Sequence, residues 1–133
     1  MSGNEKSVVP HTYRDHRVPV DRRIQYILRA IESDPSTDIV TLARMINLSP
    51  SRLSHLFKRE TRHGLHRFLA ERRLEKAARL LARTHTPVKE VSYIVGYSHA
   101  ASFVRAFRKK FGCAPNNYRC EASTFAAKDS YFG

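Results

Sequence analysis

A run of polar side chains follows one face of a short predicted helix. In residues 49 to 60, SPSRLSHLFKRE, the side chains of Ser51, His55 and Lys58 recur at helical spacing. Leu53 and Phe57 mark a second face, which is apolar. The polar face offers hydrogen-bond donors and positive charge, which suit base edges and phosphates. For an isolated helix, a solvated surface is the simpler interpretation. Whether this face is solvated or binds a partner has to be judged from the rest of the chain.

The composition favours a polyanionic partner. The 133 residues contain 24 lysines and arginines against 12 acidic residues, a formal net charge of +12. Most of this excess lies between residues 58 and 119, which favours nucleic acid or an anionic membrane surface as the partner. The chain has no terminal Lys/Arg run and no apolar stretch of about 18 residues, so no membrane association is expected. Residues 1 to 20 lack the apolar block of a signal peptide, which indicates a cytoplasmic protein.

The residues that could carry catalysis or hold a metal do not form a known pattern. The spacing of Cys113 and Cys120 fits neither a zinc pair nor a disulfide framework, and no acid or cysteine completes a close metal-binding set with His63 and His66. The segment GYSHA superficially resembles a nucleophile elbow, but that motif requires a preceding strand. Ser98 is predicted to cap a helix instead. We therefore expect no metal, no cofactor, no catalytic residue and no enzymatic activity.

Apolar residues at helical spacing predict an all-α fold of about seven helices. Asp21 and Asp38 are placed to cap the first two helices, and Pro115 begins a last short turn of helix. Residues 65 to 83 form the longest uninterrupted pattern, and no segment shows the sustained alternation of a strand. Six cations are predicted to decorate this long helix: Arg67, Arg72, Arg73, Lys76, Arg79 and Arg83. Residues 1 to 20 and 120 to 133 are predicted tails, and residues 21 to 119 the folded domain.

An internal repeat connects the two halves of the folded region. Residues 38 to 59 align with residues 87 to 109 as helix, short turn and helix, with one extra residue in the second copy. This is the helix-turn-helix arrangement, whose second helix enters the DNA major groove. In this alignment His55 matches Arg105, and Lys58 matches Arg108. The repeated outward face favours DNA contact over a solvated surface, because a solvated face normally mixes charges of both signs.

The repeated segments also resemble a known family. LSPSRLSHLFKRE and PVKEVSYIVGYSHAASFVRAFRKKFGCAPNNYR are similar to the DNA-binding domain of the AraC/XylS family of bacterial transcription regulators, over about residues 21 to 119. The resemblance implies two helix-turn-helix units, residues 21 to 62 and 87 to 119, joined by the long helix of residues 65 to 83. It further implies that both recognition helices enter the major groove on one face of double-stranded DNA.

The resemblance assigns roles to particular side chains. The candidates for reading bases are Ser51, Arg52, Ser54, His55, His99, Ala100, Ala101, Ser102 and Arg105. Apart from the resemblance, the cations that follow in both copies of the repeat are the candidates for contacting phosphates: Lys58, Arg59, Arg108 and Lys109. The family usually has glycine at the position of Arg62 and a capping serine or threonine at the position of Gly64. We therefore expect a less regular entry into the long helix.

The function that follows is sequence-specific, double-stranded DNA binding by a transcription regulator that recruits or blocks RNA polymerase. A typical family member has a separate effector-sensing and dimerisation domain, which residues 1 to 20 cannot form. At about 1.5 Å per residue, residues 65 to 83 span roughly 28 Å, close to the ~34 Å between successive major-groove segments. One chain is thus predicted to read two successive segments. Two alternatives remain: a nonspecific architectural DNA-binding protein, and a helical protein-interaction module.

Overall fold

The computed structural model describes residues 21–122, which fold as seven helices without a strand in that range. The helices are α1 (Arg22–Ser33), α2 (Ile39–Met45), α3 (Pro50–Thr61), α4 (Leu65–Arg83), α5 (Val88–Ile94), α6 (Ala100–Phe111) and α7 over residues 115–122. The all-α prediction is confirmed. The predicted tail of residues 1–20 and residues 123–133 lie outside the described part. Helix α7 was predicted as a short turn, but it continues through residues 120–122, which had been assigned to the tail.

The described residues divide into two compact units, with the boundary between Arg72 and Arg73 inside α4. The core of the first unit consists of Ile24, Ile27, Leu28, Ile31, Leu42, Ala43, Leu53, Leu56, Phe57, Leu65, Phe68 and Leu69. The core of the second unit consists of Leu74, Ala77, Ala78, Leu81, Val91, Val95, Phe103 and Phe107. Each helix-turn-helix unit therefore closes its own core with one half of α4. This explains why apolar residues recur along the whole of that helix. No helix in residues 21–122 is both long and apolar enough to cross a membrane.

Aromatic rings hold α6 in the second unit. Phe103 and Phe107 are fully buried, and their ring centroids lie 5.7 Å apart. The ring of Tyr118 meets Phe107 edge-on at 5.4 Å, and Phe111 lies 4.5 Å from Phe107. Burial raises the pKa of Tyr97, whose ring packs 5.5 Å from Phe103. These rings belong to the core of the second unit or pack against it, and they fix which face of α6 remains outside.

Two of the three predicted helix caps are present. The Asp21 carboxylate accepts from the backbone N–H of Arg23 at 2.8 Å, and that of Asp38 accepts from Thr41 at 2.8 Å. The prediction for Ser98 is wrong, because the N-cap of α6 is His99, which makes no side-chain capping hydrogen bond. The extra residue of the second repeat lies in this turn, so Ser98 stands one position too early to cap.

The internal repeat extends to the backbone of both turns. The second residue after α2 and the second residue after α5 adopt a positive φ, Asn47 with φ 58° and Gly96 with φ 106°. In the first unit the next residue, Leu48, donates its N–H to the carbonyl of Ala43 at 3.0 Å. In the second unit Tyr97 donates in the same way to Ser92 at 2.9 Å. The two turns are therefore equivalent up to the inserted residue.

The ends of the two recognition helices are equivalent as well. Arg62 has φ 66° and Gly112 has φ 81°, and each donates its N–H to the carbonyl four residues earlier at 2.8 Å. The expected irregularity at the entry to α4 is absent, since Phe68 N–H donates to the carbonyl of Gly64 at 3.0 Å. Arg62 adopts the conformation that glycine would adopt. The Thr61 hydroxyl steadies the turn by donating to the carbonyl of Phe57 at 2.8 Å.

Because Gly112 and Arg62 have the same backbone conformation, the effect on stability of replacing the glycine at the end of α6 can be predicted. A β-carbon at Gly112 would meet no atom within 4 Å, so the cost of Gly112→Ala is the left-handed backbone alone. That cost is about 1–2 kcal/mol for an L residue. We expect the free energy of unfolding, measured by urea denaturation with circular dichroism, to fall by about 1 kcal/mol once the lower chain entropy of alanine is included. The matched variant Arg62→Gly should be more stable than wild type. A Gly112→Ala protein as stable as wild type would contradict the assigned backbone conformation.

Candidate nucleic-acid interface

Helix α3 presents the first candidate surface. Its start is fixed by Pro50 in the first turn and by Ser49, whose hydroxyl accepts from the N–H of Arg52 at 3.2 Å. Because Leu53 and Phe57 are fully buried, the opposite side of the helix must face outward. Five of the candidates on this helix are exposed, and Ser54 is half-buried. The exposed five are Ser51, Arg52, His55, Lys58 and Arg59.

Two clefts run alongside α3. A cavity of about 340 Å³ is lined by Arg23, Leu48, Ser51, Arg52, His55, Leu56 and Arg59. A second cavity of about 710 Å³ is lined by Ser51, Ser54, His55, Lys58, Arg59, Gly64, Leu65, His66 and Arg67. Ser51, His55 and Arg59 line both cavities, so the exposed face of α3 forms a ridge between them. A ridge with cations in the clefts beside it is suited to a groove whose walls are phosphates.

Helix α6 presents the second candidate surface. Phe103 and Phe107 are buried, and the predicted base-reading residues lie on the outer side. Ala100 is half-buried, and the exposed candidates are His99, Ala101, Ser102 and Arg105. The phosphate candidates Arg108 and Lys109 are exposed in the last turn, next to Lys110. Every residue predicted for this helix therefore lies on or beside one accessible face.

The cations of both surfaces follow the same order along the helix. Neither α3 nor α6 has an acidic residue in its first turn, and both carry cations in the last turn. Last-turn cations also stabilise a helix through its macrodipole, worth about 0.3–1 kcal/mol each at an exposed site. That effect does not explain the long donors His55 and Arg105, which stand at equivalent mid-helix positions and are exposed. DNA binding would explain why a long hydrogen-bond donor recurs at this position in both helices.

Two arginines have structural roles that the sequence analysis did not predict. Arg72 was predicted to decorate α4, but only 8% of it is exposed; it lies 5.5 Å from the ring centroid of Phe68 and 4.0 Å from a carboxylate oxygen of Glu32. The two residues Phe68 and Arg72 are one helical turn apart, which places Arg72 on the inward face. Arg119 of α7 donates to the carbonyls of Leu81 and Thr86. Neither arginine is counted as part of the candidate interface.

Arg23 is the residue of the first cleft that sequence reasoning missed. It belongs to α1, and nothing in the local pattern connects the start of α1 with α3. The connection is long-range, since the N–H of Asp21 donates to Oε1 of Glu60 in α3 at 3.1 Å. Hydrogen bonds from Arg23 hold the pKa of Asp21 below its ordinary value. The ionised Asp21 carboxylate therefore fixes Arg23 beside the recognition helix.

Comparison with known proteins identifies the family to which this chain belongs. A model described as "Helix-turn-helix domain" matches residues 42–121, which include α3 and α6 in full. The match covers more than half of the chain. The chain belongs to the AraC-type helix-turn-helix family. The members of this family are sequence-specific DNA-binding transcription regulators.

Individual relatives of this AraC-type chain are regulators and their domains. The arabinose operon regulatory protein of Escherichia coli (strain K12) is 33% identical over 108 residues, 77% of this chain but 37% of that protein. The chain thus spans less than two fifths of the length of this curated relative. The C-terminal domain of AraT, a response regulator from Geobacillus stearothermophilus, is 34% identical with a TM-score of 0.63, covering 80% of this chain and 88% of that one. The DNA-binding domain of the transcriptional factor AdpA, solved with a target DNA, shares the fold at 23% identity and a TM-score of 0.66, covering 74% of this chain and 91% of that domain.

Proposed function

We propose that this AraC-type domain reads a specific double-stranded DNA sequence with α3 and α6, each in one of two successive major-groove segments, and controls transcription by that binding. The observation that supports this proposal best is the repeated outward face. Each recognition helix, α3 or α6, buries its apolar side. Each exposes a long side chain with hydrogen-bond donors at mid-helix and positively charged side chains one turn later. Base edges require the former and phosphates require the latter.

The proposed base contacts follow from the donor chemistry of each side chain. The guanidinium of Arg105 can donate two parallel hydrogen bonds to O6 and N7 of guanine. The imidazole of His55 donates one hydrogen bond when neutral and two when charged. The hydroxyls of Ser51 and Ser102 can donate to or accept from several base edges. Because α3 carries His55 where α6 carries Arg105, the two half-sites should differ in sequence.

The proposed phosphate contacts predict a change in salt dependence. Lys58→Ala and Arg108→Ala should each weaken binding to all duplexes by a similar factor. Each should also reduce the steepness of log K against log salt concentration by about one, because one phosphate fewer is neutralised. Fluorescence anisotropy across a salt series measures both quantities. Arg29→Ala, an exposed cation of α1 that lines neither cleft, is the control and should leave the slope unchanged. An unchanged slope in both interface variants would contradict the phosphate assignment.

The proposed partners beyond DNA follow from membership of the family. Bound at a promoter, the domain would recruit or block RNA polymerase, in the bacterial cytoplasm and without a catalytic step. The curated regulators that it resembles are longer, so the proposal includes an effector-sensing or dimerisation domain outside this chain. In vitro transcription from a promoter containing the bound sequence, with and without the protein, tests the regulatory step. No change in transcript level would contradict it.

A competition experiment separates this proposal from the two alternatives. A labelled duplex carrying the bound sequence is titrated with protein at about 0.15 M salt, with and without a large excess of random duplex. Sequence-specific binding keeps the labelled duplex bound, since specific sites are typically bound about 10³-fold or more tightly than nonspecific DNA. If the protein is a nonspecific architectural one, the excess of random duplex displaces the labelled duplex from it. A protein-interaction module binds neither duplex even at low salt.

A further inference from the structure

The smaller cleft beside α3 has an unusual concentration of guanidinium groups. Three of its lining residues are arginines, Arg52 and Arg59 from α3 and Arg23 from α1, and no carboxylate lines it. Ser51 and His55 of the same lining belong to the proposed base-reading face. The cavity measures about 340 Å³ and opens beside the exposed face of α3. It therefore joins a cationic wall directly to the surface that is proposed to read bases.

The guanidinium of Arg23 is oriented by a bidentate ion pair. Its Nε donates to Oδ1 of Asp21 at 3.1 Å, and its Nη2 donates to Oδ2 at 2.8 Å. A guanidinium has five N–H donors, so those on Nη1 face away from this pair. Asp21 is in turn tied to α3 through Glu60, as described above. Arg23 is thus presented in a defined position although about half of its side chain is exposed.

Arg59 lies beside the other carboxylate of this group. Its Nε lies 3.9 Å from Oε2 of Glu60, the residue whose Oε1 accepts from the N–H of Asp21. Asp21 and Glu60 therefore each pair with one of the arginines that line the cleft. Because neither carboxylate lines the cavity, the arginines face it as cations. Arginine is favoured for phosphate because its planar fork can donate two hydrogen bonds to one phosphate group.

We propose that Arg23, Arg52 and Arg59 bind one backbone phosphate of DNA, at the edge of the major-groove segment that α3 reads. This inference rests on the proposed function and adds a contact from α1, outside the helix-turn-helix. It also assigns Arg52 to phosphate, where the family resemblance suggested a base. A phosphate held at this point sets the register of α3 along the duplex, because phosphate contacts fix orientation while base contacts carry sequence.

The first test compares two neighbouring arginines. Arg22 precedes Arg23 on α1, is exposed and lines neither cleft, so Arg22→Ala is a control with the same change in charge. Arg23→Ala should lower affinity about five- to tenfold on every duplex and reduce the salt slope, by less than one because Arg52 and Arg59 remain on the phosphate. Arg22→Ala should leave the slope unchanged. Circular dichroism melts confirm that both variants fold. Equal losses in the two variants would overturn the assignment, since they would reflect overall charge alone.

The second test locates the phosphate. Single neutral methylphosphonates are placed at each position around the half-site read by α3. Wild type should lose affinity at each phosphate that it contacts, and at one of these positions Arg23→Ala should lose clearly less than wild type does. If wild type and Arg23→Ala lose affinity equally at every position, the inference is wrong while the proposed function stands. If wild type shows no preference for any duplex, the proposed function itself fails.

Discussion

Inserting about 5 base pairs between the two half-sites should lower affinity towards the nonspecific level, a loss on the order of 10³-fold. Both recognition helices belong to one chain, and α4 between them is one uninterrupted helix of 19 residues. Half a turn of added DNA moves the second major-groove segment to the opposite side of the duplex, since one turn is about 10 to 10.5 base pairs. The two units could then no longer occupy both half-sites on one face.

A gel-shift titration on a series of spacer lengths measures this effect. The same 5 base pairs placed outside the two half-sites serve as the control and should leave affinity unchanged. If the duplex with the internal insertion binds as tightly as the original, only one unit reads sequence and the two-groove proposal is wrong.

Replacing Arg105 by alanine should cost about 1–3 kcal/mol of binding free energy on the cognate duplex and relax preference at one base position. The reason is its place on α6, where the exposed neighbours His99, Ala101 and Ser102 are shorter. No other side chain at mid-helix reaches as far as a bidentate contact with guanine requires. Anisotropy titrations on the cognate duplex and on its single-base variants give both the loss and the position affected.

His55→Ala is the matched variant in the first unit. It should produce a smaller loss of specificity, confined to the other half-site, because imidazole offers fewer donors than guanidinium. Equal weakening of Arg105→Ala on cognate and random duplexes would assign Arg105 to a phosphate. An unchanged sequence preference in His55→Ala would make His55 a surface residue without a role in reading bases.

The fold was largely predictable because local signals and the apolar pattern agree. Helix α4 has the predicted bounds, since its apolar spacing is uninterrupted and Pro87 follows it closely. The cap at Asp38 was visible as an acid before an apolar periodic segment. The cap of α6 was mispredicted because one inserted residue in a turn shifts the register, and spacing alone does not show where the insertion lies. The regular entry to α4 despite Arg62 was not predictable, because arginine rarely adopts a positive φ.

The candidate surfaces were predictable to the extent that they lie on single helices. The exposure of His55 and Arg105 was predictable because each lies two positions from buried residues on both sides. These are Leu53 and Phe57 in α3, and Phe103 and Phe107 in α6, and a separation of two residues points to the opposite face of a helix. Reasoning within one helix could not predict the contact of Arg72 with Glu32, the contacts of Arg119 or the place of Arg23 beside α3. Arg119 contacts residues more than thirty positions away, and Arg23 is placed beside α3 by a similarly distant hydrogen bond from Asp21 to Glu60. Such contacts depend on tertiary packing.

Selection of bound duplexes from random-sequence DNA tests the central claim most directly. The claim is that both recognition helices of one chain read bases. The selected sequences should contain two conserved blocks of different sequence, centred about one DNA turn apart, with no palindrome. The same selection with Arg105→Ala should lose a base preference in one block only. Selected duplexes with no enriched sequence, or with a single block, would contradict the account.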